Sequence, residues 1–175
     1  MTLDSPLHGG SLFPESMPRD LPVSAQTRKP VIALLEDHAP DAELLRFALE
    51  QTGHDFDLVV LKTGEEAMHY LEDLDRPGAP RPCDLMFMDL NVPLLNGFEV
   101  LEHLRAHKEL RKIPVIIFSG SCDSEDVNRC YAAGANSYVP KATNIDEILS
   151  KTASIVHYWF ECCSLPEVYV KARHQ

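Results

Sequence analysis

From residue 31 onward, short apolar runs alternate with longer amphipathic stretches. The runs are apolar at every position instead of every second one, which is typical of strands that are buried on both faces of a parallel sheet. They lie at residues 31–35, 58–61, 85–88, 115–118 and 137–139. Five strands that alternate with five helices predict a doubly wound α/β domain with helices on both faces, over about residues 30 to 162.

Several helix boundaries are marked by the residues around them. At Thr63, Asn96 and Asn144, an N-cap residue is followed three positions later by Glu, which is the spacing of a capping box. Gly53 and Gly134 follow the first and fourth helical stretches, where a left-handed residue favours helix termination. These signals agree with the strand assignment.

The segments outside this domain have a different composition. Residues 1–29 contain four prolines among Gly and Ser without sustained periodicity, which predicts a flexible tail. Residues 75–82 are interpreted as a surface connection between the second helix and the third strand. Residues 163–175 form a C-terminal extension that is too short for a DNA-binding or enzymatic domain.

The charge of the chain restricts its partners. The formal net charge is −11 over 175 residues, which argues against binding to nucleic acid or to anionic membranes. The longest apolar runs are about half of the roughly 20 residues that a membrane span requires, and no basic start precedes an apolar stretch. We therefore expect a cytoplasmic protein.

Five cysteines are an odd number and include no Cys-x-x-Cys pair, so the sequence indicates neither a disulfide framework nor a zinc site. We interpret them as reduced and mostly buried. A redox sensor at Cys122 or at the Cys162–Cys163 pair is the alternative, but it needs surroundings that stabilise a thiolate, and an acidic chain does little to supply them.

Chemically active residues follow four of the predicted strands. They are Glu36, Asp37, Asp89, Ser119 and Lys141. Ligands of an open parallel sheet bind at the carboxyl ends of its strands, so we expect these side chains to meet at one edge. Any one of them alone would be an ordinary loop residue or helix cap. Carboxylates that repel each other are costly to hold together without a cation, and the joint pattern therefore predicts a site.

The predicted cation is Mg²⁺, which prefers one or two carboxylates together with phosphate oxygens. Beside it, Asp89 can act as a carboxylate nucleophile toward a phosphoryl group. Lys141 and the Ser119 hydroxyl are placed to contact the phosphoryl oxygens, over which the charge is spread.

The motifs that carry these residues closely resemble the receiver domain of bacterial two-component response regulators. They lie at residues 34–37, 88–97, 118–120 and 134–141, and the resemblance runs over about residues 30 to 160. The spacing Asp-x-x-x-Pro-x-x-x-Gly, followed by a distant Lys, is highly specific. The resemblance implies the flavodoxin-like receiver fold and a signalling phosphoprotein that catalyses only its own phosphorylation and dephosphorylation.

The resemblance also implies roles for single residues. Glu36, Asp37, Asp89 and the backbone carbonyl of Asn91 would bind Mg²⁺, and Asp89 would accept the phosphoryl group from a sensor histidine kinase. Lys141 would contact the phosphoryl group.

Two further residues would form a switch. Ser119 would move to meet a phosphoryl oxygen, and Tyr138 would then swing inward. A static residue on an edge strand is the alternative for Tyr138.

The chain departs from the family pattern after Lys141, where Ala142 replaces the usual Pro and Pro140 precedes the Lys. A cis bond before Ala would cost roughly 2.5–4 kcal/mol, so we expect a trans loop of different shape. Together with the ending at residues 155–166, this departure resembles stand-alone regulators paired with phytochrome-type histidine kinases. Output would then be a protein contact or onward phosphotransfer.

The last predicted helix has a wide apolar face, which predicts a homodimer through helix 5, strand 5 and the C-terminal segment. Its residues are Ile145, Ile148, Leu149, Thr152, Ile155, Val156, Trp159 and Phe160. We expect Trp159 and Phe160 to lie beyond the sheet. The alternative is that the tail folds back over its own helix.

Three rival functions share parts of this pattern. A flavodoxin-like electron carrier must accept a flavin phosphate, which Glu36 and Asp37 would repel. A haloacid-dehalogenase-type phosphatase needs a second Asp at the position of Asn91. A receiver-like scaffold that is never phosphorylated is disfavoured because all the expected side chains are present.

Overall fold

The computed structural model describes residues 28–74, 76 and 81–168. All five predicted strands form one parallel sheet in the order β2-β1-β3-β4-β5. The strands are β1 (Val31–Leu35), β2 (Asp57–Leu61), β3 (Leu85–Met88), β4 (Val115–Ser119) and β5 (Ser137–Pro140). The predicted doubly wound α/β fold is confirmed, and the strand bounds differ from the predicted ones by one residue at most.

Five α-helices connect and cover the strands. They are α1 (Ala39–Glu50), α2 (Gly64–Asp73), α3 (Gly97–Ala106), α4 (Ser124–Ala132) and α5 (Ile145–Val156). A π-helical turn at His157–Cys162 continues α5, and a short 3-10 turn lies at Leu110–Lys112. The predicted caps are present: Asn96 forms a full capping box, while Thr63 and Asn144 each accept one backbone N–H.

Each face of the sheet has its own apolar core, as full burial of the strands requires. On one face, Phe87 packs in a cluster with residues of α1 and α5, such as Leu45 and Val156. On the other face, Met86 packs with Leu71 of α2 and Leu101 of α3. The alternation of Met86 and Phe87 between the two cores explains why β3 is apolar at every position.

The parallel register brings the strand ends to one edge. Leu35 is aligned with Met88, so that Glu36 and Asp89 follow side by side. Ser119 is aligned with Pro140, and Lys141 comes next. The predicted edge cluster is therefore a consequence of the sheet register.

The end of α5 differs from the expectation. Phe160 and Trp159 do not lie beyond the sheet, since both are partly buried against the α1–α5 core, and the Phe160 ring centroid is 5.3 Å from that of Phe56. Val168 packs against the opposite core, so part of the extension folds back over the domain. The prediction for Trp159 and Phe160 was wrong because the sequence does not reveal how far the core extends along this helix, where Phe56, before β2, packs against Phe160.

Other sequence predictions lie outside the described residues. They concern the flexible tail, of which residues 1–27 are not described, the rest of the C-terminal extension from residue 169, and most of the loop at residues 75–82. Among the described residues, no helix is both long and apolar enough to cross a membrane.

Candidate functional site

The ammonium group of Lys141 lies between three carboxylates at the carboxyl edge of the sheet. Its Nζ atom is 2.6 Å from Glu36 Oε2, 2.7 Å from Asp89 Oδ2 and 2.9 Å from Asp41 Oδ2. Glu36 and Asp89 are almost fully buried, whereas the Asp41 side chain is 38% exposed. The structure thus brings together Glu36, Asp89 and Lys141 as predicted, and it adds Asp41.

Backbone hydrogen bonds fix the two buried carboxylates. The Glu36 N–H donates a hydrogen bond to the Leu61 carbonyl at 2.9 Å, which continues the β1–β2 pairing by one residue. The side-chain atom Oε1 of Glu36 accepts the His38 N–H at 3.1 Å. Asp89 likewise donates its N–H to the Leu35 carbonyl, and its Oδ1 accepts the Asn91 N–H at 3.1 Å. One Asp89 oxygen is therefore held by the backbone and the other by Lys141.

The loop after β3 explains the glycine of the motif. A Cβ atom at Gly97 would collide with the carbonyl oxygen of Asp89 and would lie 2.9 Å from the Cα of Leu90. The Gly97 N–H also donates to the Leu90 carbonyl at 3.0 Å. Only glycine lets the start of α3 approach the acidic residue this closely.

The cluster carries more negative than positive charge. Burial raises the pKa of Glu36 against the opposing effect of Lys141. For Asp41, burial is outweighed by hydrogen bonds from Lys141 and His38, and the pKa of Asp41 is lowered. The pKa of Lys141 is raised because its bonds to the carboxylates outweigh its burial. With three carboxylates around one ammonium, the donor set suits a further hard cation.

Asp41 is the member of this cluster that the sequence analysis missed. It lies in the first turn of α1, five residues beyond Glu36, and not at the end of a strand. Its Oδ1 atom is 2.9 Å from His38 Nδ1, while Oδ2 contacts Lys141. The available signal was an acidic residue in the first turn of the helix that follows Glu36.

Asp37 and Asn91 were predicted as metal ligands, and both are exposed at the same edge. Within the described ranges, no three His, Cys, Asp or Glu side chains are arranged as a ready-made metal site. Lys141 itself lies among the carboxylates. The roles of Asp37 and Asn91 in binding Mg²⁺ therefore stay predictions, although the acidic donor set fits the ion.

Ser119 is joined to Lys141 through the backbone, and Tyr138 contacts the loop that follows Ser119. Ser119 is fully buried, and its carbonyl accepts the Lys141 N–H at 2.8 Å. The Tyr138 hydroxyl donates to the Ser121 carbonyl at 2.8 Å, and burial raises the pKa of Tyr138. The two residues are thus linked through the loop after β4, and their movement stays a prediction. The described peptide bonds, including that before Ala142, are all trans.

Residues 32–153 match the family model described as the response regulator receiver domain. The chain belongs to this family. The match covers more than half of the chain and runs from the second residue of β1 into α5. It gives no support to the flavodoxin-like carrier or to the phosphatase.

Three relatives are similar over most of the domain. Rcp1 of Synechocystis sp. is 32% identical over 137 residues, which are 78% of this chain and 92% of Rcp1. The Mn²⁺-bound form of Rcp1 superposes with a TM-score of 0.72 at 31% identity, over 79% of this chain and 99% of the other. Metal-bound relatives of this kind agree with the predicted cofactor, Mg²⁺.

The other two relatives are solved structures. The phosphorylated cyanobacterial phytochrome response regulator RcpA gives a TM-score of 0.75 at 29% identity, over 80% of this chain and 100% of RcpA. Response regulator RPA3017, in red light signaling of R. palustris, gives 0.71 at 30% identity, over 79% of this chain and 99% of the other.

Proposed function

We propose that this receiver domain accepts a phosphoryl group on Asp89 from a histidine kinase and thereby acts as a signalling switch. The observation that carries the proposal is the Asp89 carboxylate, which is 6% exposed, lies at the carboxyl edge and is 2.7 Å from the Lys141 ammonium. A nucleophile next to a cation, in a negatively charged cluster that suits Mg²⁺, is the arrangement that phosphoryl transfer to a carboxylate requires.

In this reaction, a carboxylate oxygen of Asp89 attacks the phosphorus of a phosphohistidine. The new O–P bond forms as the P–N bond breaks, and the imidazole leaves with the electron pair of that bond. The Lys141 ammonium, which is bonded to Asp89, would donate to one phosphoryl oxygen, and the buried Ser119 would move to meet another. Glu36, Asp37, Asp89 and the Asn91 carbonyl would hold Mg²⁺, which supplies positive charge to the transferred oxygens.

The proposed kinase is of the phytochrome type, and the protein acts in the cytoplasm. Support comes from the likeness to RcpA, a phytochrome response regulator, and to RPA3017, a response regulator in red light signalling. Output is by protein contact or onward phosphotransfer, without an enzymatic activity beyond the protein's own phosphorylation and dephosphorylation. The net charge of −11 favours protein partners over nucleic acid.

The proposed organisation keeps the flexible tail predicted for residues 1–29, except that Arg28 and Lys29 are held by ion pairs with Asp84 and Asp55. Residues 30–162 are the receiver domain and residues 163–175 an extension. We further propose a homodimer through α5, β5 and this extension. Ile145 and Tyr158 support it, because both are large apolar side chains that are about half exposed near the two ends of this helical segment. Two-fold association is the commonest way to bury such residues.

Sedimentation tests the dimer. The intact protein at tens of micromolar should sediment as a dimer, and Ile145→Glu with Tyr158→Glu should convert it to a monomer that still folds, because neither side chain is in the core. A monomeric wild type, with and without phosphorylation, would contradict the dimer.

A phosphotransfer assay tests the function itself. The protein is mixed with autophosphorylated histidine kinases of phytochrome and other types, in Mg²⁺ or in excess chelator. Transfer to the wild type in Mg²⁺, and none to Asp89→Asn, is expected because an amide is not a carboxylate nucleophile. Equal labelling of both proteins would refute Asp89 as the acceptor, and undiminished transfer in chelator would refute the metal-assisted mechanism.

A further inference from the structure

The Asp41–Lys141 contact differs from the other two contacts of the ammonium. Glu36 and Asp89 are the residues proposed to engage the metal and the phosphoryl group, whereas Asp41 has neither role. All three N–H groups of the ammonium are used in the structure, one for each carboxylate. When Mg²⁺ and the phosphoryl group are bound, Glu36 and Asp89 interact with them and are less available to the ammonium.

The structure holds Asp41 in place independently of Lys141. Its Oδ1 atom lies 2.9 Å from His38 Nδ1, which leaves Oδ2 directed at the ammonium. It also lies in the first turn of a 12-residue helix, where the unpaired backbone N–H groups favour negative charge. A carboxylate that is anchored on a helix in this way can retain the ammonium when the other contacts change.

Lys141 has free space on the side of Glu36 and Asp41. A cavity of about 60 Å³ borders Asp41, Lys141, Ala142 and Ile148, so the lysine side chain has space beside it. Without Asp41, the ammonium would keep only Glu36 and Asp89 as partners, and it would compete with Mg²⁺ for both.

We propose that Asp41 is a positioning residue. It keeps the Lys141 ammonium beside Asp89 when Mg²⁺ binds Glu36 and Asp89 and when Asp89 accepts the phosphoryl group. This inference rests on the proposed function. It assigns to Asp41 no contact with the metal or with the phosphoryl group.

A simpler role for Asp41 is long-range attraction of the metal by its charge. The two roles differ in their dependence on Lys141. Attraction by charge acts whether or not the lysine is present. Positioning requires the ammonium, because the contact with Asp41 gains importance only when Lys141 gives up its other carboxylates.

A double-mutant cycle on Mg²⁺ affinity separates them. Mg²⁺ alone is titrated by calorimetry into the wild type, Asp41→Asn, Lys141→Gln and the double variant, without any phosphodonor. We expect Asp41→Asn to weaken Mg²⁺ binding about tenfold when Lys141 is present, because the ammonium then competes with the ion for Glu36 and Asp89. Outer-shell partners of a metal site commonly have effects of this size. In the Lys141→Gln background, the same substitution should change the affinity by less than about twofold.

The control is Glu43→Gln, which removes one charge from the same helix at an exposed position that pairs only weakly with Arg46. It should leave the affinity within about twofold of the wild type. Circular dichroism on every variant checks that the fold is retained.

An equal loss in both backgrounds, or no loss in either, would overturn the positioning role while leaving the proposed function intact. A wild-type protein that binds no Mg²⁺ would instead overturn the proposed function, and the inference with it. Restoration of the affinity by Asp41→Glu, which keeps the carboxylate, would further support the contact over a general effect on packing.

Discussion

Asp84 and Asp89 lie at the two ends of β3, and the protein surrounds these two carboxylates in opposite ways. Both are nearly buried, at 8% and 6% exposure. At the amino end, Asp84 receives two bonds from the Arg28 guanidinium, at 2.7 and 3.3 Å, and one from the Val31 N–H at 2.8 Å. Arg81 is 3.7 Å away. The negative charge of Asp84 is therefore balanced by these positively charged and hydrogen-bonding partners.

At the carboxyl end, Asp89 shares one ammonium with two other carboxylates. The same residue type thus fastens the chain before the strand and forms part of a site with excess negative charge after it. Burial alone does not distinguish them. The two carboxylates differ in the balance of charge around them. Only the edge with excess negative charge favours the binding of a cation and of an electrophile.

The largest expected effect on stability comes from the compensated edge. Asp84→Ala should lower the free energy of unfolding by about 2–3 kcal/mol, because it leaves the Val31 N–H and a half-buried arginine without their acceptor. Asp89→Asn should cost less than about 1 kcal/mol or stabilise the domain, since it removes one repelling charge. Urea unfolding measures both. A larger loss for Asp89→Asn than for Asp84→Ala would reverse the comparison.

Mg²⁺ should stabilise the folded protein through the unbalanced edge alone. At a concentration of 100 times the Kd, a ligand that binds only the native state contributes about 2.7 kcal/mol. We expect this gain in the wild type and in Asp84→Ala, and a much smaller gain in Asp89→Asn. Thermal unfolding with and without Mg²⁺ is the measurement, and an equal gain in all three proteins would place the ion elsewhere.

A smaller effect is expected at the exposed rim of the site. Asp37→Ala should weaken Mg²⁺ binding about tenfold, or about 1.4 kcal/mol, because one charged oxygen ligand is lost. Asp55→Ala is the matched control, since Asp55 is also an exposed aspartate but pairs with Lys29 near the amino edge. Calorimetry should give an unchanged affinity for this control. If both variants bind Mg²⁺ as tightly as the wild type, Asp37 is not a ligand.

The smallest effect is a local one at Cys83, which directly precedes Asp84. Burial raises the pKa of Cys83 to about 12, and that of Cys130 to about 11, so neither thiol should be alkylated at pH 8 in the folded protein. Asp84→Ala should raise the alkylation rate of Cys83 severalfold, while Asp89→Asn should not. Mass spectrometry of the labelled peptides measures this, with Cys130 as the internal control. Equally slow alkylation of Cys83 in both variants would contradict this prediction, because Cys83 would then stay buried without the Asp84 carboxylate.

The sequence predicted the parts of the site that end a strand. Glu36, Asp89 and Lys141 each follow an apolar run, and a parallel register makes such residues neighbours. Asp41 could not be found in this way, because its place depends on how α1 turns back over the edge. The Arg28–Asp84 pair, 56 positions apart, was equally invisible to a local pattern.

Packing at the chain's end was the other point beyond prediction. The helical periodicity identified the apolar face of α5 correctly, and Ile148, Thr152 and Val156 are buried. Periodicity does not say how far the opposing surface extends. Here Phe56 extends it under Phe160, and the helix winds into a π-helical turn there.

The most direct test of the account is to locate the phosphoryl group. The protein is phosphorylated by its kinase in Mg²⁺ and reduced with borohydride, which converts an aspartyl phosphate to homoserine, and the peptides are then sequenced by mass spectrometry. The account predicts conversion at Asp89 and an unmodified Asp84. Conversion at another carboxylate, with Asp89 intact, would contradict it.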